Sequence, residues 1–227
     1  MYSAIILAGG VGSRMHQAMP KQFLSLAGKP LIMHTLERLE QVDRVGEIVV
    51  VCHPHYRELL QRNIEAYLLK KKYVLTDGGS SRQESTYLGL LAASYDKVII
   101  HEAARPFVTR EEFEALADEP CDSAIYGIPI PFTVSKQEGG YLSGLLERRE
   151  LINVQLPQKF PREAILEAHK RAREEGKTFT EDASILYHYT GCRVKVLPGT
   201  PFNLKITEPI DLISGENIYQ EYIIGRN

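Results

Sequence analysis

The chain has 227 residues, 44% hydrophobic and 25% charged, an ordinary globular composition that suits one large α/β domain. A formal net charge of -2 excludes the basic bulk field that nucleic-acid binders use, so no nucleic-acid partner is expected. The longest apolar runs, such as Ile48 to Cys52, are far too short to span a bilayer, and no membrane association is expected. Met1-Tyr2-Ser3 leads straight into the first apolar run, so no signal peptide is expected and the cytoplasm is the expected compartment. Cys52, Cys121 and Cys192 are odd in number and widely spaced, which fits neither a disulfide framework nor a zinc site.

Ala4 to Ala8 reads as a short buried strand, and Gly9-Gly10-Val11-Gly12-Ser13-Arg14-Met15 follows at once. Three glycines within four residues let the backbone approach a ligand without Cβ interference. Successive N–H groups in such a loop form a nest for phosphate oxygens. Arg14 adds a planar fork suited to phosphate, and Lys21 after Pro20 adds a mobile point charge. A nucleoside triphosphate site is therefore the first expectation; a tight strand-to-helix turn with two incidental basic residues is the plainer alternative. The dinucleotide fingerprint fails, because its third Gly falls on Met15 and the second strand runs into His53-Pro54. The Walker loop fails as well, because Gly12-Ser13-Arg14 stands where Gly-Lys-Ser/Thr is needed.

Leu31, Ile32, Leu36 and Leu39 predict a helix after the Gly28-Lys29-Pro30 turn. Glu47 to Cys52 is a continuous β-branched run, as expected of a strand covered on both faces of a parallel sheet. His53 and His55 lack a neighbouring acidic or Cys partner and read as structural rather than metal-binding. Tyr56 to Leu69 reads as a helix and Tyr73 to Thr76 as a strand. A second glycine loop, Asp77 to Ser85, opens a helix near Gln83 with Leu88, Leu91 and Ala92 expected inward. Arg82 and Ser85 sit on its first turn, facing a ligand or simply closing a capped turn.

Lys97 to His101 is a further strand, followed by Glu102-Ala103-Ala104-Arg105-Pro106. In open α/β sheets ligands bind beyond the carboxyl ends of the strands, where these three polar loops converge. Glu102 is placed to hold Mg²⁺ or a substrate hydroxyl; Arg105 reaches a phosphate or pairs with Glu102. After a strand over Asp122 to Ile130, residues 132–151 break the β/α rhythm and read as a hairpin arm. Pro157 to Pro161 returns the chain to the body, and Arg162 to Glu175 is a charged helix stopped by Gly176, with His169 expected half-buried. Thr180 is the expected cap of a helix beginning near Glu181. Arg193 to Leu197 and Asn203 to Thr207 read as strands, and Glu208-Pro209 opens the last helix. No repeat or clean linker divides the chain, so residues 1–227 are expected to form one domain with an arm at about 132–151.

Leu7-Ala8-Gly9-Gly10-x-Gly12-x-Arg14-Met15 with Pro20-Lys21, Gly78-Gly79 with Arg82 and Ser85, Ala103-Ala104-Arg105-Pro106, Pro157-Gln158, Thr180-x-Asp182-Ala183-Ser184 and Asn203-x-Lys205-Ile206-Thr207 occur in this order. Together they resemble the family of 2-C-methyl-D-erythritol 4-phosphate cytidylyltransferase and its relative ribitol-5-phosphate cytidylyltransferase over nearly the full chain. The resemblance implies an α/β fold with a Rossmann-like, mostly parallel (mixed) sheet flanked by helices, a protruding β-arm, and a homodimer formed through that arm. It also implies that CTP and a polyol phosphate react, with Mg²⁺, to give a CDP-polyol and pyrophosphate. By position, Ala8, Gly9, Gly10 and Gly12 would wrap the CTP, and Gly79, Ser80, Arg82 and Ser85 would form the cytosine and ribose pocket. Arg14 and Lys21 would hold the phosphates and Lys205 would stand near the α-phosphorus, which makes these three the catalytic set. Glu102, Arg105, Thr133, Arg148 and Thr180 would bind the polyol phosphate, with Glu102 also touching the metal and Arg148 reaching in from the partner's arm.

Three departures from the family pattern fall on the acceptor side. Glu102 replaces an Asp, Leu156 replaces a Thr whose hydroxyl binds phosphate, and Phe132 replaces an Asp before the arm Thr. The best reading of the acceptor is 2-C-methyl-D-erythritol 4-phosphate, in isoprenoid precursor synthesis. Ribitol 5-phosphate or another polyol phosphate for cell-envelope glycans is the alternative, and a nucleotide-binding regulator without turnover is the reading from a different class.

Overall fold

The computed structural model describes residues 1–10, 15 and 19–225. Gly12 and Arg14, both expected at the nucleotide, lie outside the described residues. The elements in order are β1 (Tyr2–Ala8), β2 (Ser25–Leu26), β3 (Lys29–Pro30), α1 (Leu31–Glu40), β4 (Val45–Cys52), α2 (Arg57–Ala66), β5 (Lys72–Asp77) and α3 (Arg82–Ala92). They continue with β6 (Lys97–Glu102), α4 (Arg110–Asp118), β7 (Ala124–Pro129), β8 (Ser135–Glu138), β9 (Tyr141–Leu145) and β10 (Ile152–Pro161). The last are α5 (Arg162–Glu174), α6 (Asp182–Thr190), β11 (Lys195–Pro198) and α7 (Pro209–Ile218).

A seven-stranded sheet runs in the order β11-β7-β10-β6-β1-β4-β5. All neighbouring pairs are parallel except those of β10, which is antiparallel to both β6 and β7. Successive strand residues face opposite sides of the sheet, so one alternation builds two cores. Ala4, Ile6 and Ala8 of β1 join Ile48 and Val50 of β4 on the face covered by α1, α2 and α4. Ile5, Val49, Val51 and Ile100 join the opposite core, covered by α3, α5 and α6. A third cluster of Leu26, Leu31, Phe107 and Ile206 anchors α7 beside the carboxyl edge of the sheet.

The structure corrects several expectations from sequence. β10 is a ten-residue strand in the middle of the sheet, whereas the sequence suggested only a returning segment. Proline disfavours a central strand, yet Pro157 sits at the register shift between Gln155 and Gln158, where the ladder with β7 is interrupted. Asn203 to Thr207 is not a strand; it is an extended link whose Ile206 N–H donates to Ala104 O at 2.8 Å. Thr180 does not cap α6: the Glu181 side chain does, accepting from the Ala183 and Ser184 N–H groups. His169 is 1% exposed and not half-buried. The arm expected at 132–151 contains the β8–β9 hairpin, turned through Gly139 and Gly140, both with positive φ.

The inner face of α3 also differs. Ser85, Thr86, Gly89 and Leu90 are buried, while Leu91, expected inward, is 48% exposed. Gly89 sets this rotation, because a Cβ there would lie 2.5 Å from Ile5 Cγ2 and 2.9 Å from Val51 Cγ2. The helix thus rests on the sheet through a bare backbone, which brings its first turn close to the ends of β1 and β4. Gly89→Val is expected to destabilise the fold by about 1–3 kcal/mol through overpacking. Gly89→Ala should cost less, since helix propensity returns about 1 kcal/mol. Urea unfolding midpoints test this; unchanged midpoints for both would mean that α3 can lift off the sheet freely.

Candidate active site

Parallel strands end on the same edge, and the register aligns Leu7 with Glu102, Ala8 with Cys52 and Cys52 with Asp77. The loops that leave these strands surround a cavity of about 510 Å³. Ala8, Gly9 and Gly10 line it from the first loop, and Gly79, Ser80, Arg82 and Ser85 line it from the second loop and α3. Lys21, Glu102 and Lys205 complete its polar wall. A volume of this size is ordinary for a small-molecule or nucleotide site.

The two glycine loops meet backbone to backbone. A Cβ on Gly9 would fall 3.5 Å from Gly78 Cα, and one on Gly78 would fall 3.4 Å from Gly9 Cα. Ser85 Oγ accepts from Gly79 N–H at 3.1 Å and donates to Ser81 O at 2.9 Å, so this hydroxyl shapes the second loop. Ser81 caps α3 by accepting from Glu84 N–H at 3.0 Å. Gln22 Nε2 donates to Ala8 O at 2.6 Å, and Lys21 Nζ donates to Ile206 O at 2.8 Å. Lys21 is thereby tied to the same extended link that presents Lys205.

Charge is concentrated behind the cavity. Glu102, 7% exposed, accepts from Arg82 Nε at 2.9 Å through Oε1, and its Oε2 faces Lys205 Nζ at 2.7 Å and Arg105 Nε at 3.7 Å. Arg82 also donates through Nη2 to Asp182 Oδ2 at 2.8 Å, and His169 Nε2 lies 3.2 Å from Asp182 Oδ1. Burial opposes ionisation of Glu102, but Lys205, Arg82 and Arg105 outweigh it and bring the carboxyl down to about 2. Asp182 follows the same logic: burial raises it, and Arg82 with the His169 hydrogen bond drives it well below the usual carboxylate range. Burial alone would lower Arg82, yet Asp182 and Glu102 hold it above its ordinary value. Three cations against two carboxylates leave this cluster net positive, as a polyphosphate requires.

Among the expected acceptor residues, Arg105 adjoins the cluster and donates through Nη1 to Asn203 O at 2.9 Å. Thr180 lines a neighbouring cavity of about 410 Å³ that shares Ser81 and Arg82 with the first. Thr133 and Arg148 are exposed on the arm and line neither cavity. Sequence reasoning missed Asp182 and His169. Asp182 stood in the Thr180-to-Ser184 motif without a role, and its signal was an acidic residue at the first turn of a helix. His169 left no signal beyond an apolar-face histidine. Gln158 was also unassigned; its Nε2 donates to the cap Glu181 at 3.0 Å.

The metal expected at Glu102 does not fit the donor set, because both carboxylate oxygens already face cations. Among the described residues no group of three or more His, Cys, Asp or Glu side chains is arranged to hold a metal ion. No helix among the described residues is long and apolar enough to cross a membrane.

Residues 2–221 match the family described as IspD, 2-C-methyl-D-erythritol 4-phosphate cytidylyltransferase. The chain belongs to this family. A curated 2-C-methyl-D-erythritol 4-phosphate cytidylyltransferase from Geobacillus thermodenitrificans is 39% identical over 220 residues, covering 96% of each chain. The crystal structure of 4-diphosphocytidyl-2C-methyl-D-erythritol synthase from Anaerococcus prevotii superposes with a TM-score of 0.85 at 25% identity, over 97% of this chain and 96% of that one. The 2-C-methyl-D-erythritol 4-phosphate cytidylyltransferase of Thermus thermophilus gives a TM-score of 0.77 at 28% identity, over 97% of this chain and all of that one (100%). Like the other members of IspD, the chain is a nucleotidyltransferase with a Rossmann-like mixed sheet.

Two departures from the family pattern now have a place. Leu156 is 5% exposed and packs in the core with Val98, Ile100 and Phe160. Its side chain lines neither cavity, and its carbonyl accepts from Asn203 Nδ2 at 2.6 Å. The substitution therefore strips no hydroxyl from the walls of these cavities. Glu102 keeps the acid at the end of β6 and engages three cations with it.

Glu102→Gln tests this charge cluster. The folded-state value near 2 lies below the ordinary 4.5, so the stabilisation is full above about 4.5 and is lost as pH falls toward 2. At neutral pH the variant is expected to lose on the order of 3 kcal/mol. That gap should close as pH falls through this window in chemical denaturation. A gap that is the same at pH 7 and pH 2.5 would show that the carboxylate is not the ionised centre of the cluster.

Proposed function

We propose that the chain transfers CMP from CTP to 2-C-methyl-D-erythritol 4-phosphate, releasing pyrophosphate, and so serves isoprenoid precursor synthesis. The observation that carries this reading is the convergence of both glycine loops, Lys21, Glu102 and Lys205 on one cavity at the carboxyl edge of the sheet. Family membership and the activity for which the curated relatives are named support it.

In the proposed reaction a phosphate oxygen of the acceptor attacks the α-phosphorus of CTP. A new P–O bond forms as the bond to the β-phosphate bridging oxygen breaks, and pyrophosphate leaves with the electron pair. The nucleophile is already anionic, so no strong general base is needed. Positioning and charge neutralisation supply the catalysis. Gly9, Gly10, Gly79, Ser80 and Ser85 are proposed to seat the nucleoside and phosphates, together with Ala8, Gly12 and Arg82. Lys21, Arg14 and Lys205 offset charge that builds on the α-phosphate and the leaving group. Lys205 suits this task because its ammonium reaches the cavity wall while Glu102 holds it there at 2.7 Å. The family's chemistry is generally divalent-metal dependent, and Mg²⁺ is the proposed ion. Because Glu102 is committed to cations of the chain itself, the steps above rest on the protein's own side chains.

The whole chain is proposed to act as one catalytic domain with its arm at about 132–151, in the cytoplasm. Phe132, Tyr141, Leu142 and Leu145 expose large apolar surfaces on the arm, which supports a homodimer in which each arm docks on the partner. Arg148 would then reach the acceptor phosphate across that interface, opposite Thr180, with Thr133 near the acceptor's hydroxyls and Arg105 beside the acceptor.

Pyrophosphate release with CTP, Mg²⁺ and either 2-C-methyl-D-erythritol 4-phosphate or ribitol 5-phosphate tests the reaction and its acceptor. Turnover is expected with the first and not the second, and Lys205→Ala should lower kcat roughly a hundredfold or more. Turnover of ribitol 5-phosphate alone would overturn the acceptor, and normal turnover by Lys205→Ala would remove that residue from the reaction. Arg148→Ala should raise KM for the acceptor, and mixing it with Lys21→Ala should restore part of the activity. Verified mixed dimers without any recovery would argue against a shared site.

A further inference from the structure

We propose that His169 and Asp182 are positioning residues that set the orientation of Arg82 and, through Glu102, of the Lys205 ammonium; this rests on the reading of Lys205 given above. Five polar groups from five parts of the sequence form one chain of contacts. His169 Nε2 lies 3.2 Å from Asp182 Oδ1, Asp182 Oδ2 accepts from Arg82 Nη2 at 2.8 Å, Arg82 Nε donates to Glu102 Oε1 at 2.9 Å, and Glu102 Oε2 faces Lys205 Nζ at 2.7 Å. His169 comes from α5, Asp182 from the first turn of α6, Arg82 from the first turn of α3, Glu102 from the end of β6, and Lys205 from the extended link.

Each link removes a freedom. A guanidinium is planar, so carboxylates on its Nε and Nη2 fix the plane itself. With the plane fixed, Glu102 presents Oε1 to Arg82 and leaves Oε2 for Lys205. Asp182 is 0% exposed and uses its two oxygens for different partners, so it cannot turn to chelate Arg82 with both. The histidine enforces that division. A carboxylate accepts, so Nε2 bears the proton in this bond, and the buried Nδ1 has no hydrogen-bond partner among the described residues to hold an alternative orientation. His169 sits at the far end of the chain of contacts; it does not line the 510 Å³ cavity, and it borders the neighbouring 410 Å³ one beside Thr180, so the Arg82 exchange measurement and not turnover alone decides its role. Buried ionic networks contribute little to stability compared with apolar packing of the same volume, but they fix geometry. Arg82 is the shared wall of the two cavities, so its orientation governs both the nucleotide side and the Thr180 side.

The test uses the full-length protein with His169→Leu, which keeps the bulk and removes the donor, and His169→Gln, which supplies an amide N–H in its place. Hydrogen exchange of the ¹⁵N-labelled Arg82 Nε–H, assigned with Arg82→Lys, reports the clamp without requiring turnover. In His169→Leu this exchange should quicken about tenfold or more, and kcat should fall about fivefold or more. His169→Gln should return both to within about threefold of the native protein. Unchanged Arg82 exchange in His169→Leu would overturn the proposal whatever the turnover. Equal losses in both variants, with the unfolding midpoint shifting in step, would overturn it in favour of plain packing. Should His169→Leu not fold, the isosteric Asp182→Asn takes its place in the exchange measurement: faster Arg82 exchange supports the proposal, and unchanged exchange overturns it. Native protein that lacks turnover while its Arg82 exchange responds as described would reject the proposed reaction and leave the positioning role standing.

Discussion

The structure around the site depends on one buried carboxylate. Glu102 ends β6 beneath the cavity and gathers Arg82, Arg105 and Lys205, which arrive from α3, from its own turn and from the extended link near the C-terminal helix. A lone carboxylate at this depth would be protonated, and three cations this close would repel one another. Each makes the burial of the other tolerable. Asp182 adds the second negative charge that allows Arg82 to sit between the two cavities.

The fold exists to bring these groups to one edge. A parallel arrangement of β1, β4, β5 and β6 aligns their carboxyl ends, so loops far apart in sequence emerge side by side. Gly89 then allows an approach that a side chain would prevent, so that α3 lies on the sheet, and the first two loops meet in contact at Gly9 and Gly78. The third apolar cluster has a comparable role, because Phe107, Leu26 and Ile206 hold the link that presents Lys205. The same link accepts Lys21 Nζ at the Ile206 carbonyl, so both lysines of the proposed reaction are referenced to one backbone segment.

Much of this was legible in the sequence. β-branched runs marked β4 and β6, helical spacing marked α1, and the glycine loops with Lys21, Arg82 and Ser85 marked the walls of one cavity. What failed did so for identifiable reasons. β10 was hidden because prolines argue against a central strand, and only the register shift at Gln155–Gln158 shows how the sheet accommodates one. Asn203 to Thr207 imitates a strand locally, but its backbone N–H groups go to scattered single partners, Asn203 to Thr200 O, Leu204 to Phe202 O and Ile206 to Ala104 O, instead of a ladder. Leu91 was assigned inward on hydrophobicity, which cannot anticipate that a glycine would form the contact face. Leu156 looked like a lost ligand and proved to be a core residue.

The sequence by itself determined the class of fold, most of the helices and parallel strands, and the identity of the glycine loops and basic side chains that line the cavity. These follow from local properties: side-chain periodicity, backbone freedom at glycine, and the fixed charge of Lys and Arg. Only the tertiary structure decided which charges pair. Arg82 meets Glu102 and Asp182 from residues 20 and 100 positions away, and no pattern along the chain encodes such a meeting. Burial then determines the consequence. The same carboxylate that would be an ordinary surface acid becomes, 7% exposed among three cations, the organising centre of the site. That outcome depends on distances and on the exclusion of water, which exist only once the chain has closed around them.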